Sequence, residues 1–131
     1  MTFPFVQRSN DASSFDDRLP VLLVSTFDRG VARRVVVDAL PYRIGSGVDC
    51  NLRLSAVTVS RLHAELLWQG GRLLLRDAGS LNGTFVEGAR VLEVSLEDQQ
   101  RVRIGPYRLQ LRWVSLDGVV ESDATASCGA A

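Results

Sequence analysis

Residues 107–113 read YRLQLRW, and their alternation decides the architecture. Tyr107, Leu109, Leu111 and Trp113 alternate with Arg108, Gln110 and Arg112, as a strand with one face buried and one in water requires. Just upstream, RVRIG (101–105) repeats the pattern with Val102 and Ile104 inward. Further back, AELLWQ (64–69) and RLLLRD (72–77) flank Gly70-Gly71, a hairpin signal because glycine enters positive φ without steric cost. PVLLVSTF (20–27) and ARRVVV (32–37) likewise flank Asp28-Arg29-Gly30. No window carries a sustained, capped 3.6-residue period. Short runs cut by frequent turns predict an all-β fold, an antiparallel β-sandwich of about ten or eleven short strands.

The ordered domain is expected over residues 19–115. Residues 1–18 (MTFPFVQRSNDASSFDDR) show no sustained period and read as a disordered lead; residues 116–131 are small and polar and read as a disordered tail or linker. A chain of 131 residues suits one domain with a real core. Its 15 basic and 15 acidic residues cancel, so no global field draws it to nucleic acid or to an anionic membrane. All the basic residues are arginine, whose planar fork suits phosphate and carboxylate. Cys50 and Cys128 form neither a disulfide framework nor a metal quartet, which favours a reducing, cytoplasmic setting without metal or cofactor. No apolar run approaches a membrane span.

Sandwiches expose loops at their ends, and three loops here carry chemistry-bearing residues: RIGSGVDCNLRL (43–54), VTVSRLHAEL (57–66) and DAGSLNGTFVEG (77–88). Each has a plain reading. Gly45 and Gly47 turn the chain, Asn82-Gly83 is a common hairpin turn, and His63 bonds nearby backbone at the head of a strand. A hydrolase can also be drawn, with Ser60, His63 and Asp77 as a triad. The chain offers no nucleophile elbow for it, and no enzyme is expected.

Taken together and in order, the loops resemble the forkhead-associated (FHA) domain. That family runs Ile-Gly-Arg, Cys/Ala-Asp-Ile-x-Leu, Ser-x-x-His-Ala, Asp-x-x-Ser-x-Asn-Gly-Thr and a late Ile-x-Ile-Gly. The matches are Ile44-Gly45, Cys50-Asn51-Leu52-Arg53-Leu54, Ser60-Arg61-Leu62-His63-Ala64, Asp77 to Thr84, and Val102-Arg103-Ile104-Gly105. The resemblance implies a bacterial phosphothreonine-peptide-binding module, either monomeric or part of a larger assembly. By position it implies that Ser60 gives its hydroxyl to a phosphate oxygen and that Arg61 adds a charged contact. Asn82 would bond the peptide backbone, and Leu81 would line the site. Gly45, His63 and Gly83 would be structural at the site.

The chain departs from the family at Ser46, which the resemblance places with the phosphopeptide-binding residues but which takes the place of the usual arginine. A charged hydrogen bond contributes roughly 1.5–3 kcal/mol, so its loss implies binding weaker by about ten- to a hundred-fold. Arg43 is nearby, but strand alternation is expected to point it away. Asn51 replaces an aspartate, and Gln99-Gln100 replaces a Gly-Asp turn. The alternative the resemblance leaves open is a degenerate FHA scaffold that binds partners independently of phosphate, as in a bacterial secretion or signalling assembly.

Overall fold

The computed structural model describes residues 18–28, 30 and 32–115, which form eleven strands. In chain order these are β1 (Arg18–Thr26), β2 (Arg33–Val36), β3 (Tyr42–Gly45), β4 (Leu52–Arg53), β5 (Ala64–Gln69), β6 (Arg72–Asp77), β7 (Thr84–Val86), β8 (Ala89–Val91), β9 (Glu93–Ser95), β10 (Arg101–Ile104) and β11 (Tyr107–Ser115). They build a six-stranded sheet in the order β2-β1-β11-β10-β7-β8 and a five-stranded sheet in the order β4-β3-β5-β6-β9. All pairings are antiparallel except β3 with β4, which run parallel. The all-β sandwich expected from the alternation is the fold observed.

Burial follows the period-two pattern. On β11, Leu109 and Leu111 are buried between exposed Arg108 and Arg112, and on β10 Val102 and Ile104 are buried between Arg101 and Arg103. From the other sheet, Ile44, Leu52, Leu66, Leu73 and Leu75 join these in one apolar cluster, closed by Leu22 and Val24 of β1. Gly70 and Gly71 both take positive φ in the β5–β6 turn, as the hairpin signal required.

Two boundaries differ from the sequence reading. Arg18, assigned to the lead, already pairs with Ser115 as the first residue of β1. Asn82-Gly83 is not a hairpin turn. It belongs to the segment 78–83 that carries the chain from β6 in one sheet to β7 in the other. The remaining expectations about disordered ends fall on residues 1–17 and 116–131, outside the described residues.

Candidate functional site

The β3–β4, β4–β5 and β6–β7 connections meet at one end of the sandwich. The first two are stitched along their backbones. His63 N–H donates to the Ile44 carbonyl at 2.8 Å, Ser46 N–H to Ser60 at 3.0 Å, and Gly47 N–H to Arg61 at 3.0 Å. This approach leaves no room for a side chain at residue 45, where a Cβ would overlap the Arg61 carbonyl oxygen. Gly45 is therefore needed for close packing of two loops rather than for a turn. Asn51, where the family has aspartate, accepts the Arg43 N–H with its Oδ1 at 2.8 Å, a bond an aspartate oxygen would also make.

His63 is fully buried and joins the other two loops. Its Nδ1 accepts the Ser60 N–H at 3.1 Å, and its Nε2 faces the Gly83 carbonyl at 2.9 Å. A neutral ring with its proton on Nε2 satisfies both contacts. The imidazole thus holds backbone on both sides and reaches neither the Ser60 hydroxyl nor Asp77. The drawn triad is absent. Gly83 takes φ 95°, a region open to glycine, and a Cβ there would meet Arg90 and Phe85.

Asp77 folds the third loop around its carboxylate. Oδ2 accepts the Gly79 and Ser80 N–H groups, each at 3.0 Å, and Oδ1 accepts the Ser80 and Thr84 hydroxyls. Burial pushes this carboxyl up, but the bonds from Ser80, Thr84 and Gly79 outweigh burial and leave it below the usual carboxylate range. Ser80 Oγ in turn accepts the Gly83 N–H at 3.0 Å, which completes the turn beneath Leu81 and Asn82.

The surface above this scaffold carries the residues singled out in the sequence. Ser60 Oγ accepts the Leu81 N–H at 3.2 Å, so its own proton remains available to an incoming acceptor. Asn82 Nδ2 donates to the Thr58 carbonyl at 3.0 Å, and its Oδ1 has no hydrogen-bond partner among the described residues. Leu81 is 83% exposed, and Val48 and Val57 are exposed on the other two loops. Ser46 turns its hydroxyl inward to the Val59 carbonyl at 3.0 Å. Ser60, Leu81 and Asn82 are thus brought together, and Arg61 follows Ser60 on the same loop.

Beside Arg61 opens a cavity of about 700 Å³, lined among others by Arg43, Ser46, Asp49, Arg53 and Leu62. Arg43 was expected to point away. Alternation does place it on the outer sheet face, opposite Glu65, yet it still borders this cavity. Sequence reasoning passed over Arg53, taken as the variable position of a strand motif, and Thr58, whose carbonyl anchors Asn82. Cys50 also lines the cavity: burial, foremost, pushes its thiol up, and the thiol donates to the Arg61 carbonyl at 3.1 Å.

Known proteins resemble this chain in sequence and fold. The FHA domain family model matches residues 42–105. The glycogen accumulation regulator GarA of Mycolicibacterium smegmatis is 38% identical over 88 residues, 67% of this chain and 56% of the relative. An oxoglutarate dehydrogenase inhibitor of Corynebacterium efficiens is 33% identical over 104 residues, 77% of this chain and 73% of the relative. A solved structure from work on phosphothreonine-dependent FHA domain interactions superposes with a TM-score of 0.64 at 35% identity, covering 72% of this chain and 95% of that one. The FhaA FHA domain, complexed with the intracellular domain of Rv3910, superposes at 0.63 with 35% identity, over 71% and 99% of the two chains. This chain therefore spans little more than half of GarA but nearly all of each isolated domain.

Proposed function

Because this chain belongs to the forkhead-associated family, we propose that it is a phosphothreonine-peptide-binding module that joins proteins in a phosphorylation-dependent way. The observation that carries this reading is the Ser60 hydroxyl. One of its lone pairs is taken by the Leu81 N–H and its backbone is pinned by His63, so its proton is left to donate to an acceptor that binds beside Arg61 and Asn82. A phosphothreonine brings about −1.5 to −2 charges and three acceptor oxygens, and calls for a hydroxyl, a guanidinium and fixed polar groups. Ser60 donates to a phosphate oxygen and Arg61 adds a charged bond. Asn82 bonds the peptide backbone beside the phosphothreonine, and Leu81 packs on its flank. Gly45, His63 and Gly83 act on the shape of the loops alone. Preorganisation by the His63 and Asp77 contacts lowers the ordering cost of binding.

The partner is a phosphothreonine-containing protein, not nucleic acid or membrane, and the setting is cytoplasmic. Chemistry on the partner is not part of this role, since His63 is committed to two backbone groups. Ser46 leaves the first loop one cationic contact short of the family pattern. The test is selection from a degenerate phosphothreonine peptide library against its unphosphorylated counterpart. Enrichment confined to the phosphorylated pool supports the reading, and equal recovery from both pools overturns it.

One observation favours a second reading. Val48, Val57 and Leu81 are almost wholly exposed, one on each of the three loops, apolar side chains that suit a phosphate-independent protein contact. Equal recovery from the two pools would point to that scaffold role.

A further inference from the structure

Ser46 removes a guanidinium from the first loop, but the fold brings another to the same place. Arg53 stands beside Gly45 in the parallel β3–β4 register, and its Nε donates to the Ser46 carbonyl at 3.0 Å. The root of its guanidinium is therefore fixed against the residue where the family carries arginine. The two terminal nitrogens have no hydrogen bond or ion pair among the described residues, and neither do the guanidiniums of Arg43 and Arg61. All three border the cavity beside Arg61, with Asp49 the one carboxylate among the described residues that line it. Three guanidiniums against one lining carboxylate, with Glu65 opposite Arg43 on the neighbouring strand, leave a net positive opening suited to a dianion.

We infer that Arg53, delivered from β4, supplies the cationic phosphate contact that residue 46 lacks. This rests on the phosphothreonine reading and extends it: the arginine is relocated rather than lost. An Nε held by backbone leaves the Nη pair as a preset fork, so less side-chain entropy is lost when phosphate arrives. Arg61 approaches from the adjacent loop, and the two charges flank the same opening.

The experiment is calorimetric titration of one library-selected phosphothreonine peptide and its unphosphorylated twin into five proteins: wild type, Arg53→Ala, Arg53→Gln, Ser46→Arg, and Ser46→Arg with Arg53→Ala. Arg53→Gln keeps an N–H for Ser46 and removes only the charge. Both Arg53 variants should bind the phosphopeptide about ten-fold or more weakly, in line with one charged hydrogen bond. Their melting temperatures and their binding of the plain twin should be unchanged. Ser46→Arg should restore affinity in the Arg53→Ala background and add less than about three-fold to wild type, where the place is already filled. If Arg53→Gln binds the phosphopeptide within two-fold of wild type, using ~0.4 kcal/mol as the limit of a meaningful change, the inference fails while the phosphothreonine reading stands. If Ser46→Arg gives the same gain in both backgrounds, Arg53 does not occupy that role. If wild type binds both peptides alike, the reading beneath the inference is gone, and the inference with it.

Discussion

His63 Nε2 lies 2.9 Å from the Gly83 carbonyl oxygen while Nδ1 of the same ring receives the Ser60 N–H at 3.1 Å. One buried side chain thus sets the distance between the loop that presents Ser60 and the loop that presents Asn82. Sequence spacing alone separates these loops by twenty residues (His63 to Gly83), yet one imidazole ties them together.

His63→Ala should therefore lower stability as well as binding. It strands the buried Gly83 carbonyl, at a cost of about 1–3 kcal/mol, and the partly buried Ser60 N–H, at less. Urea denaturation checks this. A variant that unfolds like wild type while losing its ligand would place His63 in contact with ligand instead.

Asp77 gives the domain a defined acid sensitivity. Its carboxyl is held below its ordinary range in the folded state, so the unfolded chain takes up the proton first. The stabilisation is complete above the unfolded value near ~3.9 and is lost as pH falls through the lower folded value. Melting temperature should fall with pH in that window, and Asp77→Asn should flatten the fall while lowering stability at neutral pH. An unchanged slope in Asp77→Asn would remove Asp77 as its source.

Gln99 sits at φ 72° where the family carries glycine, and Leu111 and Gln110 hold it there through bonds of 2.7 and 3.0 Å. A non-glycine residue in that region costs about 1–2 kcal/mol, partly offset by glycine's greater freedom when unfolded. Gln99→Gly should raise stability by about 0.5–1 kcal/mol without changing peptide affinity. A lower melting temperature would show that the backbone there is not strained.

Asn82→Asp keeps an oxygen and loses the donor to the Thr58 carbonyl, and it places a carboxylate beside the phosphate. Binding of a phosphopeptide should weaken by about ten-fold or more, and added salt should reduce that penalty by screening. Fluorescence anisotropy at low and high salt measures both. An equal penalty for the plain peptide would mean the loss is one of loop shape.

The sequence made some of this legible and hid the rest for physical reasons. Alternation on β10 and β11 and the Gly70-Gly71 turn are local, so their strands and faces could be read directly. Ser60, Leu81 and Asn82 could be placed through the family motifs, and the fold does bring them together. Gly45 looked like a turn residue because close approach to Arg61 depends on a second loop. Arg53 was passed over for the same kind of reason: its pairing with Gly45 is a parallel contact across a loop, and alternation says only that it faces out. Arg43 obeys alternation and still borders the cavity, because the cavity extends onto the outer sheet face.

The most direct measurement of the central claim is calorimetry of one selected phosphothreonine peptide and its unphosphorylated twin against wild type and Ser60→Ala. Wild type should bind the phosphorylated form alone, and Ser60→Ala should lose that preference while melting within a degree or two, about what a surface change allows. Equal affinity of wild type for the two peptides, or a Ser60→Ala variant that still prefers phosphate, would contradict it.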